Sequence, residues 1–377
     1  MVCEVGMVSQ SIIRLARSEI KGLQPCIHGG EIWKYYPQHG NILDFSSNTN
    51  PLGPPSKAIE AVKRNLWKIP FYPDSDSISL REAISNYIGN VGTENIIVGN
   101  GSTEVIYLFC EVFIRSGDEA IIPIPTFGEY ENTVKKAGGI PKYLKLDSSF
   151  RIEPEKLLRE VRPKTKAIFL CNPNNPTGSL ISNDELSKII ENVEAIVFVD
   201  EDFIEFVDEE VSLISRIKTY KNLFVLRSFT KFFGLTGLRV GYGVSNEEII
   251  KLLFRGKLPW NVNCLAQVAA IAALQDAEYM EKTRRLIREE RKFLLENLSK
   301  IRGLKVFPSH ANFILIDVRE TGFTSIQLKD EMLKRGILIR DCSSFKGLDE
   351  YYIRIAVRTR YENERLLTAL RNIINSS

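Results

Sequence analysis

Short strands that are apolar at nearly every position, separated by helical segments, constrain this chain more than any other feature. Glu119 to Pro123, Lys166 to Cys171, Ala195 to Asp200, Asn222 to Leu226 and Val240 to Val244 read as such runs, with a shorter one at Asn95 to Gly99. A strand with one face in water alternates apolar and polar residues, whereas a strand covered on both faces does not. Helical segments lie between these runs: Ile78 to Tyr87, Thr103 to Phe113, Phe127 to Ala137, and one opened by the capping box Ser182-Asn183-Asp184-Glu185. The pattern predicts an α/β fold on a mostly parallel sheet with helices on both faces.

The texture changes after Pro259. Two helices between Cys264 and Ser299 are followed by strands near Leu304, Phe313, Ile337 and Tyr352, with helices near Ser325 and Glu362. This predicts a large domain over 61–275 and a smaller α+β domain made of 276–377 together with 1–60. In the first part, Ser9 to Ile20 reads as a short amphipathic helix, Pro51 to Pro55 as a loop, and Ser56 as a helix N-cap. Residues 1–27 otherwise receive no role.

Composition excludes more than it assigns. A net charge of +3 over 377 residues gives no preference for nucleic acid or membranes. The six cysteines are scattered without a CxxC pair, and the three histidines do not pair at metal-ligand spacing, so neither a disulfide framework nor a metal site is expected. Without a run of roughly 20 apolar residues or a cleavable leader, the expectation is a soluble cytoplasmic protein.

The chemistry centres on Lys231, in Ser228-Phe229-Thr230-Lys231-Phe232-Phe233-Gly234-Leu235-Thr236-Gly237-Leu238-Arg239-Val240-Gly241-Tyr242. A lysine forms a Schiff base with an aldehyde, and pyridoxal phosphate (PLP) is the cofactor that exploits this. Ser228 and Arg239 flank the lysine as candidate partners of the cofactor phosphate. Asp200 ends an apolar strand, where ligands of open α/β sheets bind, and is a candidate partner for a pyridine nitrogen. A lone aspartate there more often caps a turn; the company of Lys231 favours the cofactor. Asn172-Pro173-Asn174-Asn175-Pro176-Thr177-Gly178 forms a fixed turn at a strand end, with Asn175 a candidate donor to the cofactor's phenolate oxygen. Gly99-Asn100-Gly101-Ser102-Thr103-Glu104 joins a strand to a helix, so Ser102 and Thr103 are candidate phosphate contacts at a helix N-terminus. Phe127 is either a ring that stacks on the pyridine or simply core. Arg354 and Arg340 sit on short apolar strands and need anionic partners. A substrate with two anionic groups would supply them; structural salt bridges are the competing reading.

Taken together, these motifs resemble the fold-type-I PLP enzymes, the aspartate aminotransferase superfamily, from about His28 to the C-terminus. The branch that is most similar holds histidinol-phosphate aminotransferases and threonine-phosphate decarboxylases. The resemblance implies a large domain with a mostly parallel seven-stranded sheet, a smaller α+β domain, and a homodimer with shared active sites in which Tyr72 reaches the partner's cofactor phosphate. It also implies that Arg354 takes the substrate α-carboxylate, Arg340 the substrate phosphate, and that His28 and Asn50 are further substrate contacts. His28-Gly29-Gly30, Ile42 to Gly53, Leu258 to Asn263, Leu338 to Asp349 and Asn363 to Leu367 look like the decarboxylases. Phe203 stands where the aminotransferases usually carry a tyrosine donor, and its lack of a hydroxyl should raise the pKa of the Lys231 imine. The expectation is decarboxylation of L-threonine O-3-phosphate for cobalamin biosynthesis. Transamination of histidinol phosphate is the alternative, and a PLP-binding module without turnover is a second one.

Overall fold

The computed structural model describes residues 12–39, 42–207 and 211–376. Its centre is a seven-stranded sheet. The strands are β2 (Ile96–Gly99), β3 (Glu119–Ile124), β4 (Ile140–Lys145), β5 (Thr165–Cys171), β6 (Ile196–Asp200), β7 (Leu223–Ser228) and β8 (Gly241–Ser245), in the spatial order β2-β8-β7-β6-β5-β3-β4. Only β8 runs antiparallel to its neighbours. The preceding strand, β1 (Leu43–Asp44), lies elsewhere.

The continuous apolar strands are covered on both faces, as the sequence predicts. Ile96, Val98, Val197, Val199 and Val225 join one core, whereas Ile97, Phe198, Phe224 and Leu226 join a second on the opposite face. The second core is aromatic: Phe109 packs edge-on to Phe198 at 4.9 Å, and Tyr130 stacks on Phe169 at 5.2 Å. The first core runs without a break from the sheet to Ile287 and Leu294 of the helix Ala277–Leu298, and on to Phe313 and Ile353.

A second sheet is antiparallel and four-stranded, built from β9 (Lys305–Val306), β10 (Phe313–Asp317), β12 (Arg340–Asp341) and β13 (Tyr352–Ala356). Strand β1 pairs in parallel with β11 (Ile337–Leu338), which ties residues 43–44 to the C-terminal part. Arg340 and Arg354 are register partners across β12 and β13, so both guanidinium groups leave the sheet at the same level.

Three local readings are corrected. Helix Ser56–Arg64 is capped by Pro55, so Ser56 is its first helical residue and caps nothing through its side chain. The helix expected over 9–20 is interrupted within its described part: 12–15 are helical, 16 and 17 are not, and Ser18–Lys21 forms a separate turn with no buried residue. Strand β4, with two lysines and a proline, was not foreseen, because an edge strand half in water carries a weak apolar signal.

Candidate active site

A cleft of about 1050 Å³ opens where β5 and β6 end and the helix Ser102–Phe113 begins. Lys231, Asp200, Asn175, Arg239, Ser102, Thr103, Phe127, Arg340, Arg354 and His28 all line it. Residues that lie up to 326 positions apart in sequence thus meet in one space.

Asp200 sits at the end of β6 and is almost fully buried. Its Oδ2 accepts the Tyr130 hydroxyl at 2.6 Å and its Oδ1 accepts the Asp202 N–H at 2.9 Å. Burial pushes its pKa up, as does the charge of Asp202, while these hydrogen bonds pull it down. Burial lowers the pKa of Lys231; Asp202 opposes this, and Arg354 and Arg239 add to it. A carboxyl whose pKa burial raises and an amine whose pKa burial lowers thus face one cleft.

The turn after β5 is built to hold Asn175 in place. Asn174 Nδ2 donates to Pro125 O at 2.9 Å, and Thr126 Oγ1 donates to Asn174 Oδ1 at 2.7 Å, which ties the turn to the end of β3. Asn175 Oδ1 accepts a hydrogen bond from Arg354 Nη1, which leaves its amide N–H groups for a ligand.

At the phosphate end, two glycines permit a close approach. A Cβ on Gly101, at φ +84°, would lie 2.5 Å from Arg239 Nη2, and one on Gly241 would lie 2.4 Å from the Ser102 nitrogen. Arg239 Nη1 donates to Thr236 O at 2.9 Å, and the guanidinium rests against the start of the Ser102–Phe113 helix. Helix N–H groups and a guanidinium together make an anion cradle.

Both arginines are buried, and among the described residues neither has a carboxylate partner. Arg354 Nη2 donates to Ser46 O at 3.0 Å, and its Nε has no partner. Burial lowers its pKa to about 10. Arg340 donates to Ile27 O at 2.7 Å, His28 O at 2.9 Å and Ser344 Oγ at 2.9 Å, and its Nε is likewise unpartnered. Among the described residues neither arginine forms the salt bridge of the competing reading.

Asn50 and Ser228 do not line the cleft, Tyr72 lies on the surface, and His28 lines the cleft as expected. Asn50 does not line the cleft: its Nδ2 donates to Phe232 O, Tyr279 and Thr283, and its Oδ1 accepts Leu52 N–H, so every polar atom holds the loop 50–53 in place. The substrate contact expected of Asn50 is corrected accordingly. Ser228 is fully buried beneath the cleft, where its Oγ accepts the Thr230 N–H at 3.0 Å. Tyr72 lies outside its own cleft, exposed and stacked on Trp260 at 4.6 Å. His28 lines the cleft, with its Nε2 2.8 Å from Glu129 Oε1. Residues 22–27, which the sequence left without a role, also line the cleft. Tyr130 and Asp202 were missed as well. Tyr130 looked like one more helical aromatic, and Asp202 was passed over beside Asp200.

The features that pointed to a decarboxylase have other work. Asn261 Nδ2 donates to Val98 O and Glu104, Asn263 caps the helix Cys264–Leu274, and Asp341 accepts from Ser325 and Ser343. These contacts brace the scaffold, whereas Arg340, Ser343, Ser344, Phe345 and Lys346 of the stretch 338–349 line the cleft. Phe203 packs edge-on to Phe313 at 5.0 Å.

The cleft fits PLP: an amine for the aldehyde, a buried carboxyl for the ring nitrogen, an amide for the ring oxygen, and a cradle for the phosphate. No helix among the described residues is long and apolar enough to cross a membrane, and no group of metal ligands occurs among them.

Comparison with known proteins overturns the expected decarboxylase. Histidinol-phosphate aminotransferase from Methanosarcina mazei is 38% identical over 367 residues, 96% of this chain and 98% of that one. The crystal structure of histidinol-phosphate aminotransferase from Clostridium acetobutylicum superposes with a TM-score of 0.84 at 34% identity, covering 89% of this chain and all of the other. L-threonine-O-3-phosphate decarboxylase from Porphyromonas gingivalis is more distant, at 29% identity and a TM-score of 0.80 over 89% of this chain and all of that one. The alternative, an aminotransferase, is the reading these similarities favour. The model of the family "Aminotransferase class I and II" matches residues 40–370. With a fold-type-I architecture and a cleft equipped for PLP, the chain belongs to the class I and II aminotransferases, a PLP-dependent enzyme family.

Proposed function

We propose that this enzyme transfers the amino group of histidinol phosphate, or a close phosphorylated amine, to a keto-acid acceptor. The observation that carries the reading is the pair of buried arginines, Arg340 and Arg354, each with an unpartnered Nε and no carboxylate partner among the described residues, in the cleft that holds Lys231. The names of the relatives support it.

Bound PLP supplies an aldehyde that captures an amine and a ring that draws electrons from the neighbouring carbon. Lys231 would hold it, Asp200 would pair with the ring nitrogen, Asn175 would donate to the ring oxygen, Phe127 would cover one ring face, and Ser102, Thr103 and Arg239 would hold its phosphate. Ser228 would act from below, by bracing the loop that carries Lys231. In transamination the carbon bearing the amine must lose a proton, and Lys231 Nζ is the base in place to take it. Arg340 and His28, at the mouth, would receive the substrate phosphate. Histidinol phosphate has no α-carboxylate, so Arg354 would serve the carboxylate of the keto acid in the other half of the cycle.

The large domain would span 61–275, with 1–60 and 276–377 as the smaller one. The enzyme would work as a homodimer in which the exposed Trp67, Phe71, Tyr72 and Trp260 are covered and Tyr72 approaches the partner's cofactor phosphate. The substrate reading is tested by comparing histidinol phosphate with histidinol. A tenfold or larger rise in KM without the phosphate, removed by Arg340→Gln, supports it; equal KM values contradict it.

A further inference from the structure

We propose that Asp202 is a positioning residue for Lys231, the buried carboxylate that stands as counter-ion to its nitrogen when that nitrogen carries a proton. The proposal rests on the reading of Lys231 as the amine that holds the cofactor.

The geometry is specific to this carboxylate. The Asp202 N–H donates back to Asp200 Oδ1 at 2.9 Å, so the chain turns at the end of β6 and the Asp202 side chain enters the cleft. Its Oδ1 is buried and accepts no hydrogen bond. Burial raises the pKa of its carboxyl, and the charges that oppose this are those of Lys231 first and then Arg239, which line the same cleft. Asp200, Glu205 and Cys171 are the other ionisable groups within its field. Asp200 has both carboxylate oxygens engaged, by Tyr130 and by the Asp202 N–H. Glu205 faces Arg227 instead. Asp202 therefore presents to the cleft a carboxyl oxygen with no hydrogen-bond partner among the described residues. Lys231 meets two arginines, Arg354 and Arg239, that disfavour its proton; the carboxylates that favour it are Asp202 first and Asp200 after it.

The sign follows from Coulomb's law. A carboxylate beside a buried nitrogen stabilises the protonated form, so its removal lowers the pH at which the proton leaves. Phe203, which offers no hydroxyl to the ring oxygen, acts in the same direction. Together the two residues keep the Lys231 nitrogen protonated further into the alkaline range than either does alone.

The test uses two readouts on wild type, Asp202→Asn, Asp202→Ala and Asp202→Glu. In the unloaded protein, the pH dependence of Lys231 labelling by trinitrobenzenesulfonate is followed by peptide mass. In the PLP-loaded protein, the visible absorbance is titrated. The expected result is that Asn and Ala lower both midpoints by about one pH unit or more, whereas Glu restores most of the shift. Midpoints that do not move in any folded variant overturn the proposal. Unmoved midpoints with weaker retention of the cofactor also overturn it, and assign Asp202 to the orientation of Arg239. Failure of the wild type to bind PLP would sink the cofactor reading instead, while the labelling midpoint would still judge Asp202.

Discussion

The Tyr130 hydroxyl donates to Asp200 Oδ2 over 2.6 Å, joining a fully buried phenol to the carboxyl at the floor of the cleft. Burial holds the phenol's pKa far above its ordinary range, so it remains a donor at any working pH. A hydrogen bond to a charged group contributes about 1.5–3 kcal/mol. Tyr130→Phe should therefore weaken PLP binding at least tenfold, because Asp200 would meet the ring nitrogen less fully ionised. Equilibrium dialysis of the cofactor measures this.

The cradle predicts a selective loss. Gly101→Ala places a methyl against Arg239 and forces a side chain onto positive φ, at a cost of roughly 1–3 kcal/mol. The variant should lose affinity for PLP more than for pyridoxal, which lacks the phosphate. Competition binding with the two compounds checks it; an equal loss for both would point to general misfolding.

Arg340 ties the N-terminal segment to the rest of the chain through Ile27 O and His28 O. In Arg340→Ala these carbonyls lose their donor. The segment around 22–30 should then be cut faster by a nonspecific protease, and the KM for the phosphorylated amine should rise by at least tenfold. Timed proteolysis with mass analysis reads the first effect and steady-state kinetics the second. Addition of inorganic phosphate should not protect the variant.

Phe203→Tyr restores a hydroxyl donor next to the cofactor ring oxygen. A donor stabilises the anionic phenolate of the unprotonated imine, so the absorbance titration should shift to lower pH. An unchanged or raised midpoint contradicts this.

Acid–base linkage gives a fifth expectation. Glu205 has its pKa raised to about 7 by burial, and Asp200 is raised for the same reason. The folded state therefore keeps protons that the unfolded state releases, and these two groups make stability fall as pH rises from the ordinary carboxylate range to about 7. Bound PLP offers Asp200 a cation. The melting temperature of the unloaded protein should fall more over this interval than that of the loaded protein, as scanning calorimetry at both ends of the range would show.

Much of this was legible in the sequence, for reasons that differ by residue. Phe198, Phe224 and Val225 announced a doubly covered sheet because burial on both faces removes the polar alternation. Lys231, Asp200 and Asn175 stood out because strand ends and rigid turns leave a recognisable order along the chain. Tyr130 and Asp202 did not, since their roles depend on which way a side chain points across 70 residues or two. Asn50 was misplaced because an asparagine that braces a loop and one that touches a substrate look alike in a string. The choice of substrate was misread for the same reason: Asn261, Asn263 and Asp341 are distinctive, but they hold the scaffold.

The most direct test is a mass balance on purified, PLP-loaded enzyme given histidinol phosphate with and without 2-oxoglutarate. The account predicts that ketone and glutamate accumulate together over many turnovers only when the keto acid is present, that without it the ketone stops at about one equivalent per bound PLP, and that Lys231→Ala shows no turnover. Ketone beyond one equivalent per PLP without an acceptor, release of CO₂ from threonine phosphate, or turnover that survives Lys231→Ala would contradict it.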